Sequence, residues 1–251
     1  MRIRRPRDHR APEGAAAGVV LAGGMGSRLG AGINKAFLPL GGRAIAAWSL
    51  AALGAVEGVG PLVFVVRPED RAHADFVVDR GMRHRVEIID GGSTRQESEL
   101  LALRHLADRI DAGAVDTVLL HDAARPLVSR GLIAAVLHAA RETGGAVPGI
   151  PAADIATLAA PDRAGAAPDA ALLRVQTPQG FEAARILDAY EAAARDGFVG
   201  TDTASCAEEY TDIAVTWVRG EDSNFKITYA QDLLLAQDLV AARRLSPRAW
   251  T

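Results

Sequence analysis

Five short loops carry the side chains that could do chemistry. The first runs Leu21-Ala22-Gly23-Gly24-Met25-Gly26-Ser27-Arg28-Leu29-Gly30. Its glycines let the backbone approach a phosphate chain and aim N–H groups at the anion. Arg28 and the later Lys35 add fixed positive charge beside it. The second is Asp90-Gly91-Gly92-Ser93-Thr94-Arg95-Gln96-Glu97-Ser98. Small residues with accessible N–H groups suit a planar base read by main-chain contacts, and Ser93 or Thr94 would also cap a helix. The third, His121-Asp122-Ala123-Ala124-Arg125-Pro126, follows an apolar run. It puts the Asp122 carboxylate at a strand tip among phosphate-binding loops, a natural Mg²⁺ ligand. The fourth is Gln176-Thr177-Pro178-Gln179-Gly180-Phe181, with a strand-then-turn character. In the fifth, Asp222-Ser223-Asn224-Phe225-Lys226-Ile227-Thr228, apolar and polar residues alternate, which would turn Lys226 toward a cleft.

Two familiar phosphate motifs are absent. No GxxxxGK[ST] loop occurs. After Gly24-x-Gly26 the third glycine position of a dinucleotide fingerprint holds Leu29, and the strand at 62–66 ends in Val-Arg-Pro with no ribose-binding acid. Cys206, the one cysteine, has no disulfide partner and reads as a small buried apolar residue. No CxxC or Cys/His metal spacing exists.

These loops need a scaffold to bring them together. Short apolar runs predict strands at 17–22, 62–66, 86–89 and 117–120, with more near 145–150, 172–176 and 213–218. Helical patterns lie at 45–53, 69–78, 95–106, 131–142, 183–194 and 230–244. Such alternation predicts an α/β fold with a mostly parallel twisted sheet and helices on both faces. Ligands of such sheets sit beyond the carboxyl ends of the strands, where the five loops fall. The Ala-, Pro- and Asp-rich stretch at 152–171 breaks the alternation and reads as a projecting β-arm at about 150–172. The expected organisation is a disordered basic tail over 1–15, a single domain over 16–245 with that arm, and a C-terminal tail over 246–251.

Composition narrows the partners. A formal net charge of −3 over 251 residues argues against a general nucleic-acid binder, while a local basic cluster suffices for a small anion. No apolar run approaches the roughly 20 residues that span a bilayer, so no membrane contact is expected. The arginine-rich start lacks an apolar segment and is not a secretory signal. With no cysteine framework, a cytoplasmic location is expected.

LAGGMGSRLG with NKAFLPLGG, DGGSTRQES, HDAARP, QTPQGF, GTDTAS and SNFKIT occur in order from about Gly18 to Leu239. In these pieces the chain resembles the 2-C-methyl-D-erythritol 4-phosphate cytidylyltransferases of the non-mevalonate isoprenoid pathway, with ribitol 5-phosphate cytidylyltransferases as close relatives. The resemblance implies a Rossmann-like nucleotidyltransferase fold, a homodimer, CTP and a small polyol phosphate as substrates, and Mg²⁺. Arg28, Lys35 and Lys226 would be catalytic. Leu21, Ala22, Gly23, Gly24, Met25, Gly26, Gly92, Ser93, Ser98 and Ala123 would bind the nucleotide. Arg125, Asp154 and Thr201 would face the acceptor, and Asp122 would take the metal, helped by Asn224 or Asp222. The arm departs from the family pattern at Ile155 and Asp169, where an anion would oppose the acceptor phosphate unless Arg163 or Arg174 serves. A different polyol phosphate acceptor, or a nucleotide-binding relative without catalysis, therefore stands beside the first reading.

Overall fold

The computed structural model describes residues 14–24, 33–152, 158–160, 163–164, 172–200 and 203–245. Residues 1–13 of the expected tail, most of the arm and the C-terminal tail lie outside them, while Ala15, expected in the tail, begins the first strand. Along the chain come β1 (Ala15–Leu21), the short β2 (Pro39–Leu40) and β3 (Arg43–Ala44), α1 (Ile45–Gly54), β4 (Val59–Val66), α2 (Arg71–Gly81), β5 (Val86–Asp90), α3 (Arg95–Asp111) and β6 (Val115–Asp122). Then follow α4 (Arg130–Thr143), β7 (Gly145–Pro151), β8 (Leu158–Ala160), β9 (Arg163–Ala164), β10 (Leu173–Val175), β11 (Gln179–Glu182), α5 (Ala183–Asp196), α6 (Thr203–Tyr210), β12 (Thr216–Arg219) and α7 (Ala230–Leu245).

The expected strands and helices are present, with ends moved by a few residues. The strand expected at 213–218 is shorter and begins at Thr216. Three features were not expected. The β2–β3 hairpin turns on Gly41 and Gly42, both at positive φ (55° and 81°), the conformation that a two-residue hairpin of mirror-image type requires. Helix α6 and strand β11 are the others. Of the arm, the described residues form the antiparallel pair β8–β9.

Strands β1, β4, β5 and β6 run parallel, with β1 at the centre between β4 and β6. Most residues of β1 and β6 and the carboxyl half of β4 are buried on both faces, as a parallel sheet covered by helices demands, while β5 at the edge is partly exposed. Along β1, Ala17, Val19 and Leu21 pack toward α3, α5 and α6. Ala16, Val20 and Ala22 pack toward α1, α2 and α4 on the other face. Fully buried Phe64, Phe181 and Tyr190 anchor these layers, each contributing on the order of 1.5–3 kcal/mol by leaving water. A third apolar cluster joins Leu40 and Ile45 to Leu127, Ile227, Ala236 and Val240, which docks α7 and the segment carrying Lys226.

An antiparallel strand within the sheet matters for the site. β11 lies between β6 and β7 and opposes both. Ala146 pairs with Gly180 on one edge of β7 and Thr216 on the other, so β10 and β11 share an edge of β7 while β12 takes the opposite one. From Val175 to Gly180 the chain takes five steps against three from Gly149 to Ala146. The surplus bulges out at Gln176, Thr177 and Pro178, beside the end of β6.

No helix among the described residues is long and apolar enough to cross a membrane. Cys206 is fully buried in the α5–α6 layer, and burial pushes its thiol up to about 11. Native protein at pH 8 is therefore expected to resist a thiol-specific reagent and to react with one equivalent only after denaturation. Rapid labelling of the native chain would show that this layer opens. Because the folded thiol holds its proton above the unfolded value, its contribution to stability is present at neutral pH and is lost as pH rises from about 9 through about 11.

Candidate active site

The carboxyl ends of β1, β5 and β6 open onto one cleft of about 380 Å³. At β1, Asn34 is 2% exposed and does three jobs. Its Nδ2 donates to Ala22 O at 2.6 Å and to Asp70 Oδ2 at 2.8 Å, and its Oδ1 accepts from Ala36 N at 3.0 Å. The last bond caps the single 3₁₀ turn Lys35–Phe37. Asp70 is held in turn by Arg67 Nε at 2.8 Å. The network fixes the backbone of Lys35 against the tip of β1.

At β5 the loop is shaped by its own helix. Thr94 caps α3, accepting from Glu97 N at 3.1 Å. Glu97 reaches back to Ser93 N and Oγ at 2.7 and 2.6 Å, a capping-box arrangement displaced by one residue. Ser98 Oγ accepts from Gly92 N at 3.1 Å and donates to Thr94 O at 2.8 Å. A Cβ on Gly92 would lie 2.2 Å from Glu97 Cγ, so glycine there lets the loop fold this tightly.

At β6, Asp122 is 5% exposed and meets three cations. Arg95 Nη1 donates to its Oδ1, while Lys226 Nζ at 2.9 Å and Arg125 Nε at 3.6 Å approach its Oδ2. Burial alone would raise the Asp122 pKa. Arg95, Lys226 and Arg125 outweigh that and hold the carboxyl well below the usual carboxylate range. Burial likewise works against the Arg95 charge, but Asp122 and Glu99 overcome it and raise its pKa.

The bulge after β10 braces this carboxylate from behind. Asp122 N donates to Thr177 Oγ1 at 3.0 Å, which leaves the Thr177 hydroxyl to donate to His121 Nδ1 at 3.0 Å. His121 Nε2 then donates to Arg125 O at 3.2 Å. Burial lowers the His121 pKa to about 4, so the imidazole is neutral in this chain of bonds. Asn224 gives its amide N–H to Thr177 O at 2.9 Å and to Gln176 Oε1 at 3.3 Å.

Leu21, Ala22, Gly23, Gly24, Lys35, Gly92, Ser93, Ser98, Asp122, Ala123 and Lys226 all line the cleft. Arg125 does not: its Nη1 donates to Asn224 O at 2.8 Å, under Asp122 and away from the lining. Asn224 is fully buried and Asp222 is exposed, and neither lines the cleft. Met25, Gly26, Arg28, Asp154 and Thr201, with Ile155 and Asp169, lie outside the described residues.

The sequence reading gave no ligand-binding role to Asn34, Ala36, Thr94, Arg95, Ala124 or Thr228, which also line the cleft. Asn34 and Arg95 stand within quoted motifs, but neither the turn that Asn34 caps nor the reach of Arg95 across to β6 has a local signature. The signal available for Arg95 was a cation at the first position of a helix that follows a glycine loop.

Among the described residues no three His, Cys, Asp or Glu side chains converge to hold a metal. Asp122 is the one carboxylate in the described lining, and cations already meet both its oxygens. This donor set is no protein cage. It fits a Mg²⁺ that takes one carboxylate and completes its shell with phosphate and water oxygens.

Comparison with known proteins converges on one family. The family model for 2-C-methyl-D-erythritol 4-phosphate cytidylyltransferase (IspD) matches residues 16–242. A protein of that description from Thermobifida fusca is 41% identical over 92% of this chain and 95% of its own length. The solved structure of the Thermus thermophilus protein of the same description superposes with a TM-score of 0.66 at 36% identity, covering 89% of this chain and 98% of that one. A 4-diphosphocytidyl-2C-methyl-D-erythritol synthase structure from Anaerococcus prevotii reaches a TM-score of 0.78 at 22% identity, covering 91% and 97%, and shares the fold. The mostly parallel sheet with helices on both faces is the Rossmann-like nucleotidyltransferase arrangement of these structures.

The cation cluster makes a stability prediction. Asp122→Asn leaves Arg125, Arg95 and Lys226 facing one another without their shared anion. Loss of one partner from a fully buried pair costs about 3–5 kcal/mol, and the partial exposure of Arg95 and Lys226 brings the expected loss to roughly 2–4 kcal/mol in denaturant unfolding. An unchanged unfolding midpoint would show that the cluster is not coupled to folding.

Proposed function

This chain belongs to the 2-C-methyl-D-erythritol 4-phosphate cytidylyltransferase family, and on that premise we propose the following division of labour for its residues. The enzyme transfers CMP from CTP to 2-C-methyl-D-erythritol 4-phosphate, giving CDP-methylerythritol and pyrophosphate in isoprenoid biosynthesis. One observation carries the reading: a single cleft brings Lys35, Lys226 and Asp122 together with the backbone of Gly23–Gly24 and Gly92–Ser93.

The acceptor phosphate is already an anion near neutral pH, so no general base is needed. One of its oxygens attacks the α-phosphorus of CTP, the bond from that phosphorus to the α–β bridging oxygen breaks, and pyrophosphate leaves with the electron pair. Catalysis is then positioning and neutralisation of charge. The Gly23–Gly24 backbone, together with Met25, Gly26, Lys35 and Arg28, cradles the triphosphate. The Gly92–Ser93 backbone and Ser98 hold the cytidine, with Leu21, Ala22 and Ala123 as the floor. Lys226, beside the Asp122 carboxylate, balances charge growing at the α-phosphorus. Arg125, Asp154 and Thr201 serve the acceptor; Arg125 does so by holding Asp122 and the bulge in place. Asp122 would hold Mg²⁺, which when bound neutralises phosphate charge and clamps the nucleotide. The enzyme works as a homodimer in the cytoplasm, and Trp217, half exposed on β12, offers apolar surface to a second copy.

The test is pyrophosphate release by purified protein with CTP, Mg²⁺ and methylerythritol 4-phosphate, with ribitol 5-phosphate in parallel. Rapid release with the first is expected, and release only with the second, or with neither, would overturn the acceptor assignment. Lys35→Ala and Lys226→Ala are expected to lower kcat by about 10²–10³ with folding intact, the usual cost of removing one donor of developing charge. Losses below about threefold would remove these two from the catalytic set.

A further inference from the structure

Asp70 stands at the start of α2, where an aspartate ordinarily accepts a hydrogen bond from a helix N–H. Here its side chain makes no capping bond. It is 6% exposed and turns back toward the tip of β1, accepting from Asn34 Nδ2 and from Arg67 Nε, both at 2.8 Å. The bond that would serve its own helix is replaced by one to a residue 36 positions earlier in the chain.

Burial raises the Asp70 pKa, but the bonds from Arg67 and Asn34 outweigh it and keep the carboxyl below its ordinary value, an anion near neutral pH. A carboxylate only accepts hydrogen bonds, and so does the carbonyl of Ala22. Both meet the Asn34 amide, so its NH₂ must face them and its Oδ1 is left for Ala36 N. The amide has one orientation, and Asp70 dictates it from outside the cleft.

What that orientation fixes is the backbone of Lys35, which lies between the two residues that share the Oδ1 bond. Asn34, Lys35 and Ala36 all line the cleft. The far end of their turn is held separately, by Phe37 against Phe64 with ring centroids 6.2 Å apart. The near end is tied to β1 through the amide. Strand register brings Asp70 to this place: Val65 of β4 pairs with Leu21, and its carbonyl accepts from Ala22 N at 2.8 Å. The turn Pro68–Asp70 that follows β4 therefore emerges beside the end of β1.

We propose that Asp70 is a positioning residue for Lys35, acting through the Asn34 amide, so that the turn after β4 sets how the cleft receives the phosphate chain of the nucleotide. This rests on the reading above in which Lys35 meets the triphosphate. Asp70 does not line the cleft and touches no reacting atom.

A double-variant cycle with Lys35→Ala tests it, read in kcat with CTP and methylerythritol 4-phosphate and, by calorimetric titration, in CTP Kd with Mg²⁺. Asp70→Ala removes the acceptor and is expected to lower kcat at least about tenfold and raise CTP Kd at least about threefold. Added to Lys35→Ala, it should change neither by more than about twofold. Asp70→Asn, which keeps an oxygen for Asn34, should lose less than Asp70→Ala in both. Thermal melting shows which variants fold. If Asp70→Ala does not, Asn34→Ser, whose hydroxyl can still cap the turn without reaching Asp70, takes its place in the cycle with the same expectation. Losses that multiply in the double variant overturn the proposal, since they mark a general structural role. Unchanged kcat and CTP Kd in folded Asp70→Ala overturn it too. If Lys35→Ala alone leaves both quantities unchanged, the reading of Lys35 fails and the proposal falls with it. Failure of the unsubstituted enzyme to turn over this acceptor counts against the functional reading, and the CTP Kd cycle then decides the proposal.

Discussion

A carboxylate at the end of a buried strand is expensive to desolvate, and the cost is repaid only when cations and donors surround it in good geometry. Asp122 meets that condition with three cations drawn from three places in the chain: Arg95 from the start of α3, Arg125 three residues downstream and Lys226 from the segment before α7. Each must arrive from a different loop, so the loops are fixed relative to one another before any ligand enters. On the function proposed above, the same positive charges that stabilise one buried anion would receive a polyphosphate, and nucleotide entry would be an exchange of counter-ions.

The sheet makes this convergence possible. Four parallel strands place their carboxyl ends along one rim, where the loops after β1, β5 and β6 come within reach of a single ligand. The antiparallel β11 then does something a purely parallel sheet could not. Its pairing with β6 brings the bulge at Gln176–Pro178 alongside His121 and Asp122, so that Thr177 supplies a hydroxyl to both. Neutral His121 passes that order on to the carbonyl of Arg125. The backbone that carries the Asp122 carboxylate is thus held by the segment leading into a strand that runs the other way.

Much of this was legible in the sequence for a definite reason. The strands β1, β4 and β6 are apolar on both faces, so runs such as LVFVV and TVLL need no periodicity to be recognised. The loop motifs stood out because glycines, one acid and isolated cations cluster after those runs. What was not legible lay where local composition is ordinary and tertiary pairing decides. QGFE is four residues with a glycine and a polar end, and it becomes a strand only because β6 and β7 flank it. TASCAEEY shows no strong helical face, yet forms α6 once Thr203 is held by Glu99 and Cys206 is buried against α5. Arg125 looked like a ligand-facing cation from its motif; its position under Asp122 depends on Asn224, ninety-nine residues away.

Calorimetric titration of CTP into the unsubstituted protein and into Asp122→Asn, each with and without Mg²⁺, tests the counter-ion exchange most directly. Without the metal, Asp122 repels the triphosphate and competes with it for Arg95 and Lys226, so the Asn variant should bind CTP more tightly than the unsubstituted protein. With Mg²⁺ the order should reverse, because the variant has lost the carboxylate that would share the metal with the phosphates. The same order of affinities under both conditions would contradict the account.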